Sequence, residues 1–203
     1  MPMPWMVKLG GSLGSLNVLG DWLKALRNIP VVIVPGGGIF ADAVRSAQAQ
    51  WHFDDRLAHR MAILAMRQYA LMLSGIESNL TLASTETLLN NKAQDQRARC
   101  WLPDPDELQG PYVEASWRVT SDSLAVWLAQ RLGAKDLLLV KSISLLERRK
   151  TADALIQDGI IDPAVPDFLE NLTLNMWLSG PDDHDQLVEK LARPDRHFCR
   201  VER

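Results

Sequence analysis

The sequence predicts an α/β fold in which a mostly parallel sheet is covered by helices on both faces. Short apolar runs of strand length alternate with longer segments in which apolar residues recur at helical spacing. Glycine or proline separates several of these segments, and residues 31–34 form a β-branched run that is typical of a buried parallel strand. Strand–helix–strand units of this kind cross over right-handedly, and ligands bind at the carboxyl ends of their strands.

The N-terminal part of the chain predicts two strands and three helices. The strands at residues 6–9 and 31–34 are joined by a helix that ends near Arg27. Residues 39–50 follow as an amphipathic helix. Residues 56–73 form a longer helix that is apolar around much of its circumference, which indicates deep burial or a subunit interface. We therefore expect a homodimer or a higher homo-oligomer, since a free face of this kind would be a large apolar patch.

The rest of the chain alternates in the same way. Residues 80–89 predict a strand and a short helix, residues 90–110 a loop or hairpin at the edge of the site, and residues 115–119 an extended segment. The remaining predictions are a helix at 121–132 that Gly133 ends, a strand at 136–140, a helix at 163–170, a strand at 173–178, a helix at 185–192 and a terminal edge strand at 198–201.

Composition narrows the class of protein. The 203 residues are 47% hydrophobic, which suits one domain with a full core, and the net charge of −3 argues against a nucleic-acid-binding face. No run approaches the ~20 apolar residues of a membrane span, and the N-terminus lacks the pattern of a secretory leader. Cys100 and Cys199 lack metal or redox spacing, and the four histidines form no ligand set. We expect a cytoplasmic protein with reduced thiols and no metal site of its own.

Two glycine loops, each preceded by a short apolar strand, carry the main functional signal. They are residues 6–13 (MVKLGGSL) and residues 30–39 (PVVIVPGGGI). A strand that runs through glycines into a helix presents backbone N–H groups to an anion. Two such loops so close in sequence, one of them with a lysine on its strand, predict a protein that holds two phosphate-bearing groups together, as phosphoryl transfer requires.

The second loop has other interpretations. It could be a tight strand–helix turn without a ligand. Gly36, Gly38 and Ala41 also fit the dinucleotide-binding fingerprint of an oxidoreductase, which expects a strand with an acidic end roughly 20 residues later. Residues 51–55 lead instead into a helix, which disfavours that alternative. A Walker-type loop is excluded because the chain has no Gly-Lys-Ser/Thr.

Lys8, Asp122 and Lys141 are the candidate catalytic residues. Both lysines lie at predicted strand ends, where an ammonium group would stabilise the negative charge of a transferring phosphoryl group. Asp122 lies in the first turn of a predicted helix, and a carboxylate between the two lysines would keep both charged and oriented. The simpler interpretations are solvated strand-end lysines and a favourable helix-dipole charge.

His59, Arg45, Thr120 and Ser121 are weaker candidates. His59 would bind the phosphate of an acceptor or act as a base, although a lone histidine on an apolar helix face is more often a core residue. Arg45 has a salt-bridged or solvated role as its alternative. Thr120 or Ser121 is a natural N-cap for the helix that carries Asp122.

These motifs together resemble the amino acid kinase family, which includes acetylglutamate, aspartate, uridylate and isopentenyl phosphate kinases. Residues 7–12 (VKLGGS) look like its first strand and nucleotide-phosphate loop, and residues 34–38 (VPGGG) look like its acceptor loop. Residues 120–122 (TSD) look like its helix-opening aspartate segment, and residues 138–141 (LLVK) look like the strand that begins its nucleotide half.

The resemblance implies a three-layer αβα sandwich and direct in-line transfer from MgATP, with Mg²⁺ held mainly through the ATP phosphates. It implies one domain over residues 1–203, with an acceptor half at about 1–134 and a nucleotide half at about 135–203. The implied nucleotide contacts are Lys8, Gly10, Gly11, Ser12, Lys141 and Ser142. The implied acceptor contacts are Gly36, Gly37 and Gly38, and we expect Arg45, His59, Thr120 and Ser121 to contact the acceptor as well.

Within the family, residues 117–122 (WRVTSD) and 158–163 (DGIIDP) look most like the branch of (5-(aminomethyl)furan-3-yl)methyl phosphate kinases of methanofuran and methylofuran biosynthesis. The expected acceptor is a small phosphomonoester that becomes a diphosphate. Isopentenyl phosphate and acetylglutamate- or uridylate-type acceptors are alternatives. The chain departs from the family at residues 142–146 and 197–200, where an Asp-Gly turn and a Gly-Thr pair are usual, so a non-catalytic ligand-binding or regulatory protein is a further alternative.

Overall fold

The computed structural model describes residues 5–90, 97–108, 113–145, 147–170 and 172–203. Within these residues, eight strands form one sheet with helices on both faces. The predicted fold class, a three-layer αβα sandwich around a mostly parallel sheet, is confirmed. No helix in these ranges is both long enough and apolar enough to cross a membrane.

The strands run in the order β3-β4-β2-β1-β5-β7-β8-β6, and only the β7–β8 pair is antiparallel. In chain order they are β1 (Met6–Leu9), β2 (Val32–Pro35), β3 (Thr81–Ala83), β4 (Arg99–Trp101), β5 (Asp136–Val140), β6 (Arg149–Thr151), β7 (Asn175–Ser179) and β8 (Cys199–Glu202).

A short 3₁₀ helix (Gly11–Ser15) follows β1 directly, which places the first glycine loop at a helix start. The α-helices are α1 (Leu19–Leu26), α2 (Gly38–Trp51), α3 (Asp55–Ile76), α4 (Glu86–Leu89), α5 (Ser121–Leu132), α6 (Ala152–Gln157), α7 (Val165–Leu169), α8 (Leu187–Ala192) and α9 (Pro194–His197).

The alternation of side chains along the strands directs two lysines to the same face of the sheet. Met6 on β1 packs into the buried cluster that includes α5, so Lys8, two residues further, faces that side as well. Leu139 on β5 packs into the same cluster, and Lys141 follows it by two residues. The period of two therefore turns both lysines toward α5.

Register brings the ends of the three central strands to one edge. Lys8 on β1 lies opposite Val34 on β2 and Leu139 on β5. Beyond the strands, Gly36 N donates to Leu9 O at 2.9 Å, and Gly10 N donates to Val140 O at 3.2 Å. Both glycine loops therefore leave the sheet side by side.

Two predictions between α4 and α5 are wrong. Residues 90–110 are expected to form a loop or hairpin, yet β4 lies there as a buried parallel strand between β3 and β2. Three residues are too few to show a strand period, and 91–96 and 109–110 lie outside the described residues. Residues 115–119 are expected to be extended, but they form turns in which Val119 N donates to Ser116 O at 3.2 Å.

The C-terminal prediction needs one further correction. The last strand is present as β8, but it is not at the edge of the sheet, because β6 pairs with it on its outer side. The sequence does not predict β6, which lies in a polar connection and has little burial of its own. It also does not predict α6 or α9, which are short.

Candidate active site

Asp122 lies between the two strand-end lysines that face α5. Its Oδ1 is 2.8 Å from Lys8 Nζ, and its Oδ2 accepts a hydrogen bond from Lys141 Nζ at 2.5 Å. Asp122 is 3% exposed and Lys8 is 5% exposed, so the bridge is buried. The structure thus brings the three predicted catalytic residues together at the carboxyl ends of the central strands.

Charge and burial act against each other in this cluster. Burial alone would raise the pKa of Asp122, but the nearby ammonium groups of Lys141 and Lys8 outweigh it and lower the pKa to about 2. Burial lowers the pKa of Lys141, and the carboxylate of Asp122 opposes that shift. The bridge itself has two ammonium groups to one carboxylate, an excess of positive charge that favours an anion, and the carboxylate of Asp162 lines the cavity beside the bridge and also acts on Lys141.

The two glycine loops touch through their main chains. A Cβ on Gly11 would lie 2.3 Å from Gly38 N, and a Cβ on Gly36 would lie 2.3 Å from Gly11 N. Neither loop has room for a side chain at these positions. Gly38 also has a φ of +51°, a left-handed conformation that favours glycine, and it lies against the ring of Tyr69. These glycines thus set the distance between the loops.

Asp162 is a buried residue of this region that the sequence did not reveal as part of the site. Its Oδ2 accepts hydrogen bonds from Thr120 N at 2.9 Å, Ser123 N at 3.0 Å and Ser123 Oγ at 3.0 Å, and its Oδ1 accepts one from Thr120 Oγ1 at 2.7 Å. Thr120 is the N-cap residue of α5, yet its own side chain does not cap the helix. A carboxylate from a distant loop takes that place and fixes the turn that carries Asp122.

Replacing Asp162 by alanine is expected to lower the free energy of unfolding by about 3 kcal/mol, because buried N–H and O–H donors lose their acceptor. Denaturant unfolding measures the effect. Asp153→Asn, which changes an exposed carboxylate in the first turn of α6, is the matched control and is expected to leave the midpoint unchanged. Equal midpoints for wild type and Asp162→Ala would contradict the proposed capping.

Two adjoining cavities open beside the bridge. One, of about 450 Å³, includes the lysines and Asp122, and the other, of about 200 Å³, extends between α2, α3 and the start of α5. Both are lined by Gly11, Ser12, Arg45, Trp117 and Thr120, so they share a border.

The larger cavity contains every residue predicted to contact the nucleotide. These residues are Lys8, Gly10, Gly11, Ser12, Lys141 and Ser142. Ser12 Oγ donates to Ser142 Oγ at 3.0 Å, which joins the loops after β1 and β5. Residues 158–163, together with Ile156, line the same cavity with several apolar side chains. The sequence signals that segment only through its resemblance to one branch of a family.

The smaller cavity contains most of the residues predicted to contact an acceptor. These residues are Gly37, Gly38, Arg45, His59, Thr120 and Ser121. Gly36 lines neither cavity, and it packs against Gly11. The Arg45 guanidinium stacks over the Trp117 ring at 3.8 Å, and Trp117 Nε1 donates to Gln48 Oε1 at 2.6 Å. Arg45 is therefore held at the border between the cavities.

Among the residues that the structure describes, the site has no cluster of protein ligands for a metal ion. Across the described ranges, no three His, Cys, Asp or Glu side chains converge as a metal-binding group. Asp122 already has an ammonium group at each carboxylate oxygen.

Known proteins resemble this chain over nearly its whole length. The [5-(aminomethyl)furan-3-yl]methyl phosphate kinase of Methanocaldococcus jannaschii is 28% identical over an alignment of 212 positions. The alignment covers 97% of this chain and 96% of that protein. The crystal structure of UMP kinase from Ureaplasma parvum superposes with a TM-score of 0.72 at 15% identity and covers both chains completely. That of UMP kinase from Bacillus anthracis superposes with a TM-score of 0.71 at 15% identity, covering 100% of this chain and 97% of that one.

A family profile gives the decisive match. The profile described as Amino acid kinase family matches residues 3–151, which include both glycine loops, Asp122 and Lys141. The predicted family resemblance is confirmed, as is its closeness to the aminomethylfuran phosphate kinase branch. The chain belongs to the amino acid kinase family, and it is an ATP-dependent kinase.

Proposed function

We propose that this kinase transfers the γ-phosphoryl group of ATP to a small phosphomonoester and forms a diphosphate. The best candidate acceptor is (5-(aminomethyl)furan-3-yl)methyl phosphate, which places the reaction in methylofuran- or methanofuran-type cofactor biosynthesis. The observation that carries the proposal is the Lys8–Asp122–Lys141 bridge, which lines the larger of two adjoining cavities. The relative that is 28% identical supports this choice of acceptor through its name.

The bridge suits a direct transfer without a phosphoenzyme. An oxygen of the acceptor phosphate attacks the γ-phosphorus, the bond from that phosphorus to the β,γ-bridging oxygen breaks, and ADP leaves with the electron pair. Lys8 and Lys141 stabilise the charge on the transferring group and on the leaving oxygen. The acceptor phosphate is already an anion and needs no base, which agrees with an Asp122 whose oxygens are both occupied by lysines.

The larger cavity would hold the nucleotide. Gly10, Gly11, Ser12 and Ser142 would contact its phosphates, and the apolar side chains of residues 156–163 would cover the adenine. Mg²⁺ would bind mainly through the ATP phosphates and neutralise part of their charge, since the protein offers no free acidic cluster in the described ranges. The proposed nucleotide half is residues 135–203, and the proposed acceptor half is residues 1–134.

The smaller cavity would hold the acceptor. It has a volume of about 200 Å³ and shares His59 and Ile63 with a neighbouring cavity of about 610 Å³. The proposed acceptor residues are those predicted ones that line this cavity, namely Gly37, Gly38, Arg45, His59, Thr120 and Ser121. Cys100 and Cys199 are both free thiols and buried, which supports a cytoplasmic reaction.

ADP release with MgATP tests the function. We would assay (5-(aminomethyl)furan-3-yl)methyl phosphate, isopentenyl phosphate, UMP, acetylglutamate and buffer alone. ADP that appears only with the aminomethylfuran phosphate would support the proposed acceptor. ADP release with one of the other acceptors would show that the chain is a kinase of that type instead. ATP binding in calorimetry without turnover would favour a non-catalytic protein.

We also propose a homodimer through α3. Leu57, Leu64 and Leu71 recur every seven residues on this helix, and each is more than 40% exposed. A stripe at this spacing suits packing of a second α3 against the first. Leu64→Glu is expected to convert the dimer into a monomer of 22.7 kDa in light scattering, because a charge would enter the apolar contact.

The control for the dimer experiment is Val188→Glu, since Val188 is 68% exposed but lies on α8. This variant is expected to keep the wild-type mass. A wild-type protein that runs as a monomer at all concentrations would contradict the proposed assembly.

A further inference from the structure

Asp162 holds the first turn of α5 on both sides of Asp122. Its carboxylate accepts hydrogen bonds from the backbone and the side chain of Thr120, which comes before Asp122 in the turn. It also accepts hydrogen bonds from the backbone and the side chain of Ser123, which follows Asp122 directly. The first N–H groups of a helix have no partner within the helix, so these bonds fix the turn as a unit. The place of Asp122 therefore depends on where Asp162 lies.

The chain around Asp162 is anchored without help from α5. Ile160 N donates to Leu155 O of α6 at 2.8 Å, and Val165 N, at the start of α7, donates to Asp162 O at 3.1 Å. Pro163 follows Asp162 directly and restricts the backbone of both residues. A carboxylate on a segment held in this way gives the start of α5 a fixed point of attachment.

Asp162 lines the larger cavity, yet it is poorly suited to bind a ligand itself. It is 8% exposed, and both of its carboxylate oxygens already accept hydrogen bonds from Thr120 and Ser123. Oxygens with protein donors have little capacity left for a ligand, and a carboxylate repels the phosphates of ATP. Its effect on the reaction therefore passes through the residues that it holds.

The charge of Asp162 also acts on the bridge. Burial lowers the pKa of Lys141, and the carboxylates of Asp122 and Asp162 oppose that shift, whereas the ammonium group of Lys8 adds to it. The charged side chains that line the cavity with Lys141 are Lys8, Arg45, Asp122, Asp158 and Asp162. Without the charge of Asp162, Lys141 would lose its proton at a lower pH.

We propose that Asp162 is a positioning residue for phosphoryl transfer, which keeps Asp122 in contact with both lysines by holding the first turn of α5. The inference rests on the proposed function and names the residue that keeps its catalytic centre assembled. Asp122 lies 2.8 Å from Lys8 Nζ and 2.5 Å from Lys141 Nζ. A misplacement of about 1 Å in an active site costs about a hundredfold in rate. Because Asp162 belongs to the proposed nucleotide half and α5 to the acceptor half, the same contact joins the two halves.

Crystal structures of wild type and Asp162→Asn, both without substrates, test the positioning separately from catalysis. Asparagine keeps the size of the side chain but loses the charge and one acceptor oxygen. We expect the distance from Asp122 to at least one of the two lysines to exceed about 3.5 Å, which is beyond a hydrogen bond. Unchanged bridge distances in the variant would overturn the proposal.

Kinetics with MgATP and (5-(aminomethyl)furan-3-yl)methyl phosphate separate positioning from substrate contact and from a loss of stability. We expect kcat of Asp162→Asn to fall by about a hundredfold and the KM of each substrate to stay within about threefold of wild type. The pH at which kcat falls by half on the alkaline side is expected to decrease, because Lys141 loses a nearby negative charge. A kcat within about threefold of wild type, or an unchanged alkaline limb, would overturn the proposal.

Asp136→Asn is the matched control for the loss of a carboxylate. Asp136 Oδ1 accepts hydrogen bonds from Asn175 Nδ2 at 3.0 Å and Trp177 Nε1 at 3.3 Å. It lies at the opposite end of β5 from Lys141 and lines neither cavity of the site. This variant is expected to keep the kcat and the alkaline limb of wild type.

Ser123→Ala carries the test if Asp162→Asn does not fold. Ser123 is fully buried, lines neither cavity and donates its hydroxyl to Asp162 at 3.0 Å. Loss of this one bond is expected to lower kcat by roughly three- to tenfold at unchanged KM, and a wild-type kcat would overturn the proposal. A bridge that opens in Asp162→Asn, although wild type releases no ADP with any acceptor, would refute the kinase reaction while supporting the positioning of Asp122.

Discussion

Replacing Lys8 by methionine is expected to reduce kcat for ADP release by about a thousandfold. Methionine keeps most of the side-chain volume but removes the ammonium group that would face the transferring phosphoryl group. Preorganised positive charge stabilises a transition state far more strongly in a water-poor site than it would in bulk water. The loss of one such group lowers kcat by about two to three orders of magnitude. Because that charge acts mainly on the transition state, we expect a smaller change in the KM for ATP.

Lys141→Met is expected to behave in the same way, since Lys141 contacts the other oxygen of Asp122. Steady-state kinetics with varied MgATP at saturating acceptor give kcat and the KM for ATP of each variant. The matched control is Lys24→Met, because Lys24 is an exposed lysine that pairs with an aspartate at the surface. If Lys8→Met and Lys141→Met both kept kcat within about tenfold of wild type, the bridge would not be the catalytic centre.

Replacing Asp122 by asparagine is expected to affect stability and turnover together. Two buried lysines would then face each other without a carboxylate between them, and breaking a buried ion pair on one side costs about 3–5 kcal/mol. Denaturant unfolding at neutral pH measures that loss. The matched control is Asp21→Asn, which removes one partner of the exposed Lys24–Asp21 pair and is expected to show no measurable change.

Acid should reduce the difference in the free energy of unfolding between Asp122→Asn and wild type. The pKa of Asp122 is about 2 in the folded protein and 3.8 in the unfolded chain, so its stabilisation is present above pH 4 and is lost as the pH falls toward 2. The shift corresponds to roughly 2 kcal/mol, of which about half is lost by pH 3. If the difference between the unfolding midpoints of wild type and Asp122→Asn stayed the same from pH 6 to pH 3, this assignment would be contradicted.

The sequence predicts the centre of this fold well because the centre obeys short-range rules. A run such as Leu137–Val140 is long and apolar enough to indicate a buried strand, and the alternation along β1 and β5 directs Lys8 and Lys141 to one face. Asp122 could be placed because Gly133 and the apolar spacing define the helix on which it lies. These signals all lie within a few residues of the feature that they predict.

Features that depend on distant partners were not predictable in this way. Asp162 accepts its hydrogen bonds from residues 39 and 42 positions earlier, and nothing beside it in the sequence shows that a helix start lies against it. The β4 strand has only three residues, and β6 owes its place to pairing with β8. For such elements, tertiary contact outweighs local propensity.

The main-chain contact between Gly11 and the Gly36–Gly38 loop makes the distance between the two loops independent of the side chains that would choose the acceptor. If the donor and acceptor phosphates bind to these loops, the distance that the phosphoryl group travels is fixed by the close packing of the two main chains. Side-chain substitutions elsewhere in the site would leave that distance unchanged. Positions 45 and 59, which line the smaller cavity, can then diverge and change the acceptor without resetting that distance. The chain would therefore serve as a scaffold for directed changes of acceptor, provided that its glycine loops are left intact.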